Sequence, residues 1–477
     1  MMKKPIIYFA SLLLIASSFY SCQTDDDTTP PPVSEEEMEE EEENLDIIAT
    51  INAMTDGSEK TWKIDNAQIT NGSLVTDVLA LYSMEDDEFI FSTNTDTSIQ
   101  LRHRRGYRIN YAAPTSQELK SDVRVAPIET TLNYEDTGEY QFVDASRYRF
   151  SYNENDQTIT GLQEFENGIS MVFTLSEKTT ADYEVSPTSI PSLTEVFSFE
   201  ASQPVLDMKY SFATQSLYMT NRKEQNEQQL IKYALGDGSS VSQVTTGGDY
   251  VAQQLAFVGD QIMTISSSEV SQSNLDLSGN PQTTILSNFN GEFDFRTVAI
   301  ENEIYKIGGY NGFGLDAVSL LNVGDTSFSQ VLTMQEEKAS VGAEIINNEL
   351  YVVGGFKFSD QGDIITYDEI VTYDLSDMST QVIALPASLI RTFTTRYENL
   401  LYIAGRKYNG PGQAATNYLT VYNTLDTSFQ EIDIANLLPN NMIMREMTVS
   451  NSKIYFAIQT PGTTNLFGIS IMEGALN

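Results

Sequence analysis

The stretch EIYKIGGYNGFG, residues 303–314, joins a short apolar segment centred on Tyr305 to a cluster of glycines. From Gly309 the cluster runs Gly-x-x-Gly-x-Gly, the reverse of a dinucleotide-binding loop, with no following helix to offer a phosphate its N-terminus. The other reading is a repeated structural signature, which must recur along the chain. It does: SLYMTN at Tyr218, QIMTIS at Met263, EIYKIGG at Tyr305, ELYVVGG at Tyr351, LLYIAGR at Tyr402 and KIYFAIQ at Tyr455. The spacings are 45, 42, 46, 51 and 53, a period of about 47 residues.

A second feature keeps step with the first. LNVGDTSFSQVL (321–332), YDLSDMSTQVIAL (373–385) and YNTLDTSFQEIDI (422–434) follow three successive anchors, and DTSF occurs twice, 101 residues apart. The shared grammar is an apolar strand around Tyr305, Tyr351 or Tyr402, then glycines (Gly308 and Gly309, Gly354 and Gly355, Gly405), a loop, Tyr-Asp or Tyr-Asn, a turn and a strand. It resembles the Kelch repeat, in which each unit is one four-stranded blade of a β-propeller. The tryptophan that family places after the turn is replaced here by Phe328, Thr380 and Phe429, and the paired glycines are missing around Tyr218, Met263 and Tyr455. The resemblance implies a six-bladed propeller over residues 193–477. Its last unit ends at TNLFGISIM (464–472), one strand short, and LTEVFSFE (193–200) looks like the strands ending other units, so it is expected to complete the sixth blade.

Working outward, a basic residue precedes the anchor by 9 to 13 positions in five of six units: Lys209, Arg296, Lys338, Arg391 and Arg445; the second unit has Gln253 and Gln254. In Kelch propellers such residues crowd one mouth of the central channel, where arginines bind acidic ligands; the same residues also serve structure by bonding neighbouring carbonyls. GDGSS (236–240) and NENDQ (153–157) lack the spacing of a calcium loop and read as hairpin turns.

Upstream, EVSPTSIPSLTE (184–195) breaks the strand pattern, which places a linker at 186–192. Residues 45–185 open with a helix-compatible LDIIATINAM and continue with period-two alternation, as in DEFIFS and ISMVFTLSE. They read as a small antiparallel barrel or sandwich. The order KTWKI, DDEFIF, FTLSEKTTADYEV resembles lipocalin-like domains of Bacteroidota lipoproteins, in which Trp62 would plug the barrel floor. The fold class expected is therefore all-β, a lipocalin-like domain followed by a Kelch-type propeller. Within the first domain LRHRRGYR (101–108) is a basic cluster in an acidic chain. Arg102, Arg104, Arg105 and Arg108 are either an anion site or a strand end offsetting nearby acids, and His103 reads as a surface residue.

At the start of the chain, Lys3 and Lys4 precede an apolar run at 6–15, too short to span a bilayer and suited to a signal peptide over 1–21. SSFYSC resembles a lipobox ending in Cys22, the lipid acceptor. Residues 22–44, with eleven acids and no base after the cysteine, read as a disordered tether. The acids directly after Cys22 resemble the surface-export signal of Bacteroidota lipoproteins, which implies an outer-membrane protein facing the exterior; a plain spacer is the alternative.

The 477-residue chain carries 27 basic and 67 acidic residues, a formal charge of −40. Removing Lys3, Lys4 and the eleven tether acids leaves −31 on the folded part, which argues against nucleic acid as a partner. One histidine and one cysteine leave no histidine- or cysteine-rich zinc site and no intrachain disulfide. No catalytic residue, cofactor or metal is expected. The function expected is a glycan- or protein-binding surface lipoprotein; the alternatives are a sugar-acid epimerase and a structural envelope component.

Overall fold

The computed structural model describes residues 35–71, 74–77, 79, 87–104, 107–109, 120–124, 127–135, 140–144, 147–165, 169–224, 227–246, 254–287, 291–359, 361–410, 412–439, 441–450, 452–460 and 466–477. The expected signal peptide, Cys22 and the first part of the acidic run lie outside the described residues. From Glu35 that run is helical, within α1 (Glu35–Thr55), where an extended tether was expected. Glutamate is a strong helix former, and acids at a helix start face its positive end.

Period-two alternation becomes β structure almost everywhere else. Among the described residues eleven strands follow α1: β1 (Glu59–Asn71), β2 (Leu74–Asp77), β3 (Glu88–Thr95), β4 (Ser98–Arg104), β5 (Tyr107–Ile109), β6 (Lys120–Arg124), β7 (Ile128–Tyr134), β8 (Phe142–Val143), β9 (Tyr148–Asn153), β10 (Thr158–Glu164) and β11 (Ile169–Glu177). Their order β11-β10-β9-β8-β7-β4-β3-β1 is closed by pairing of β11 with β1, giving an eight-stranded barrel. Trp62 is buried and donates its indole N–H to Met54 O at 2.9 Å, which fixes the last turn of α1 against the barrel. The interior is filled by rings, with Phe89, Phe91, Phe150 and Phe173 fully buried and in mutual edge or tilted contact.

The segment after the barrel is tied down rather than loose. Glu184 exchanges backbone hydrogen bonds with the Asn399 amide at 3.1 and 3.2 Å, and Thr188 N donates to Asn477 O at 2.6 Å.

Residues 193–477 form antiparallel units of four strands. β12 (Leu193–Ala201) begins them. The first sheet is β13 (Asp207–Ser211), β14 (Ser216–Glu224), β15 (Glu227–Ala234) and β16 (Ser240–Thr246), and the second β17 (Gln254–Val258), β18 (Gln261–Ile265), β19 (Glu269–Asn274) and β20 (Gln282–Ile285). The third is β21 (Arg296–Ile300), β22 (Glu303–Ile307), β23 (Leu315–Asn322) and β24 (Ser329–Lys338). The fourth and fifth share one eight-stranded sheet made of β25 (Gly342–Ile346), β26 (Glu349–Val353), β27 (Phe356–Phe358), β28 (Ile364–Asp374), β29 (Thr380–Tyr397), β30 (Leu400–Lys407), β31 (Thr416–Asn423) and β32 (Phe429–Glu431). β29 is the fourth strand of one unit and, 12 residues on, the first strand of the next, pairing with β28 and then β30. The last sheet is β33 (Ile443–Ser450), β34 (Lys453–Thr460), β35 (Phe467–Ala475) and β12, so residues from the two ends of this region share a sheet, as LTEVFSFE led us to expect.

Apolar faces of neighbouring units pack into separate clusters. One cluster holds Tyr218 and Leu255, others hold Met263 with Ile304, Val298 with Val341, Tyr351 with Leu401 and Phe393 with Met447, and another holds Tyr455 with Met208. The last of these clusters joins the sixth unit to the first. The first strands β13, β17, β21, β25, β29 and β33 likewise approach one another in cyclic order.

The anchor tyrosines do what their amphipathic rings require. Tyr305 and Tyr351 are buried and donate to Glu303 and Glu349 at 2.9 and 3.0 Å. The glycine pair after Tyr305 also has a steric cause: Gly308 and Gly309 adopt φ of 59° and 121°, and a Cβ on Gly308 would lie 2.4 Å from Lys338 O.

Candidate functional site

The first strands bring their starting residues together, and the charges there are mixed rather than a ring of cations. Arg296 is buried. Its guanidinium donates to Glu446 Oε1 on β33 at 2.6 Å, Thr392 O on β29 at 3.1 Å, Gln254 Oε1 on β17 at 3.3 Å, Asp207 Oδ1 on β13 at 3.4 Å and Val341 O before β25 at 3.5 Å. One side chain thus ties all six units together. Asp207 in turn accepts Leu255 N at 2.7 Å and Met208 N at 2.8 Å. Gln254, in the unit that broke the basic pattern, supplies a neutral acceptor to the same hub.

Two carboxylates face one guanidinium in a space without water's dielectric. Burial, opposed by Arg296 and reinforced by Asp207, pushes Glu446 up to about 7. Burial alone would lower Arg296, but Glu446 and Asp207 outweigh it and raise it. The folded state therefore holds a proton on Glu446 that the unfolded chain releases near the ordinary 4.5. That contribution is present below pH 4.5 and lost as pH rises through about 7. Wild type should lose up to about 3 kcal/mol between pH 5 and 8 relative to Glu446→Gln, read from urea midpoints at both pH values. Equal pH dependence in the two proteins would refute this assignment.

Above the hub lies a cavity of about 410 Å3 lined by Asp294, Arg296, Arg391, Thr392, Arg445 and Glu446, among others. Arg391 is exposed at its edge, and Arg445 is half-buried with Nε donating to Gln459 at 2.6 Å. Burial, then the charges of Arg391 and Arg406, lowers Arg445 to about 10; burial and Arg391 lower Arg406. Three guanidiniums therefore feel one another. Arg406 donates to Asn417 Oδ1 at 2.8 Å, and among the described residues none of the three forms an ion pair with a carboxylate. Arg406 was missed in the sequence, although it directly follows Gly405, where a Cβ would lie 2.0 Å from Arg391 O.

Two of the five basic candidates are elsewhere. Lys338 ends β24, is buried and pairs with Glu369 at 2.8 Å, stacked over Tyr367. Its ammonium thus reaches the next unit, away from the mouth, while its carbonyl accepts Gly309 N at 2.9 Å within its own unit. Lys209 stands two residues beyond Asp207, opposite Tyr218, and lines a separate cleft with Tyr210, Phe212, Glu344 and Arg396. Counting back from the anchors puts it in the series, but the position matching Arg296 is Asp207.

The barrel's basic cluster is dispersed. Arg102 pairs with Glu129 at 2.9 Å and Arg104 with Glu88 at 3.5 Å, while Arg105 and the side chain of Arg108 lie outside the described residues. His103 is fully buried, not on the surface. On β4 it shares the inward phase with Ile99 and Leu101, stacks on Phe89 at 4.0 Å, and bonds Asp87 at 2.9 Å and Tyr148 at 3.1 Å.

No family model matches the chain, and no curated protein of sufficient similarity is found.

Proposed function

We propose that residues 193–477 are a six-bladed Kelch-type β-propeller, carried with a lipocalin-like barrel on a lipoprotein anchored through Cys22 at the outer membrane and facing the exterior. The propeller reading is supported by four-stranded units, cyclic neighbours among the first strands, and closure through β12 and β35. The protein acts as a non-catalytic binding module, and its ligand, a glycan or partner protein, presents an anionic group to the cavity mouth. One observation carries this: Arg391 and Arg445, neither in an ion pair with a carboxylate among the described residues, line a cavity of about 410 Å3, within the usual ligand-pocket range of about 300–1,000 Å3, and the charge of Arg406 acts on Arg445 beside it. Maintaining three mutually repelling guanidiniums costs stability unless an anion offsets them. Arg296 belongs to the scaffold of that site.

A second reading, an epimerase acting on sugar acids, is favoured by Glu446, which stands at the cavity with its carboxyl pushed up to about 7, in the range of a general acid or base. The test is an array of acidic and neutral glycans and acidic proteins probed with full-length protein in detergent. Arg391→Gln/Arg406→Gln/Arg445→Gln should weaken its acidic ligands by about 100-fold, roughly 1 kcal/mol per half-exposed contact. Binding unchanged in this variant would sink the binding reading; turnover of a uronic or sialic acid, seen by NMR and lost in Glu446→Gln, would install the enzyme.

A further inference from the structure

The cavity has an aromatic border that the arginines do not explain. Phe293 immediately precedes the lining residues Asp294 and Phe295, and its backbone exchanges hydrogen bonds with Tyr310 at 2.7 and 2.9 Å. Ala339, just before the lining residues Ser340 and Val341, does the same with Phe356 at 2.8 and 3.0 Å. From these two points a row of rings runs outward: Phe293 to Tyr310 at 5.1 Å, Tyr310 to Phe358 at 5.6 Å and Phe358 to Phe356 at 5.3 Å, each edge to face. Phe358 is 43% exposed and Phe313, in the same glycine loop as Tyr310, is 77% exposed. Ile364 and Ile365, which pair with Phe358 and Lys357, are also exposed.

Single exposed apolar side chains are ordinary, but a contiguous aromatic ledge beside a charged cavity marks a contact surface. An anion alone needs only the arginines. A ligand using both features carries a negative group and, next to it, flat faces of C–H bonds that lie on aromatic rings. We infer that this ledge is a stacking subsite and that the ligand is an acidic oligosaccharide, its carboxylate at Arg391, Arg406 and Arg445 and its following sugar rings on Tyr310, Phe313 and Phe358. The inference rests on the anion-binding reading of the mouth. A sugar suits the ledge better than a peptide because rings in a row offer flat platforms along a chain of ring-shaped units. An apolar peptide side chain is instead anchored in a pocket.

Calorimetry on full-length protein with three probes tests it: a tetrameric oligogalacturonide, citrate as an anion without sugar rings, and oligoglutamate. Phe313→Ala/Phe358→Ala removes exposed side chains, so folding is preserved, which circular dichroism and the melting curve check. The variant should weaken the oligogalacturonide about tenfold or more and leave citrate unchanged. Equal weakening of both probes overturns the stacking subsite, as does an oligogalacturonide indifferent to the aromatic variant yet lost in the triple arginine variant; the latter spares the anion site. Oligoglutamate bound in place of the oligogalacturonide, and weakened by the aromatic variant, overturns the sugar in favour of a peptide. Failure of every probe to bind wild type, at low salt, overturns the anion site and the ledge with it.

Discussion

Arg296→Met is expected to cost about 3–5 kcal/mol of stability, the range for breaking a buried ion pair while its partners stay behind. The substitution keeps the approximate length of the side chain, so the loss comes from Glu446, Asp207, Gln254 and two carbonyls left without their donor in a dry site. If so, Arg296→Met/Glu446→Gln/Asp207→Asn should recover part of the loss, since both uncompensated charges are gone. Urea unfolding of the single and triple variants decides it. A single variant within about 1 kcal/mol of wild type would mean that the hub contributes little net stability.

Deleting residues 193–200 should have a comparable or larger effect. Those residues supply most of β12, which pairs with β35 along the sixth sheet and places Phe197 against Tyr233 of the first sheet at 4.7 Å, with Tyr233 donating to Val196 O at 2.7 Å. Phe197, Phe199 and Val196 all pack on the cluster between these two sheets. At about 1.5 kcal/mol per large apolar side chain and about 2–4 °C per kcal/mol, the melting temperature should fall by about 10 °C or more. Differential scanning calorimetry that shows an unchanged curve would remove β12 from any role in holding the units together.

The repeats were legible because their signals are local. A tyrosine, a glycine pair and a turn recur within one unit, and each answers a steric or hydrogen-bonding need of that unit, as Gly308 beside Lys338 O illustrates. The hub was not legible, for two reasons. Its partners are far apart in sequence: Arg296 and Glu446 are separated by 150 residues. Register also intervenes, because β33 is irregular between Met444 and Glu446 and β29 between Leu389 and Thr392. At these bulges the residues that reach Arg296 are Glu446 and the Thr392 carbonyl, while the neighbouring Arg445 and Arg391 line the mouth. Counting positions from the anchors finds the arginines but cannot see which neighbour the bulge turns inward. His103 failed for a simpler reason. Its basic neighbours suggested a surface, whereas the alternation of β4 put it inside with Ile99 and Leu101.

β29 carries a consequence of another kind. In a chain of repeats joined by loops, each unit can open while its neighbours stay closed, and stability approximates a sum over units and their contacts. Here Thr380 to Tyr397 is one unbroken strand of 18 residues serving two units. Neither unit can lose that strand without stripping the other of an edge, so the two become a single cooperative block among otherwise separate sheets. The block also holds Arg391 and Arg406 and the Thr392 carbonyl, so the arginine mouth rests on the part of the molecule least free to open one repeat at a time.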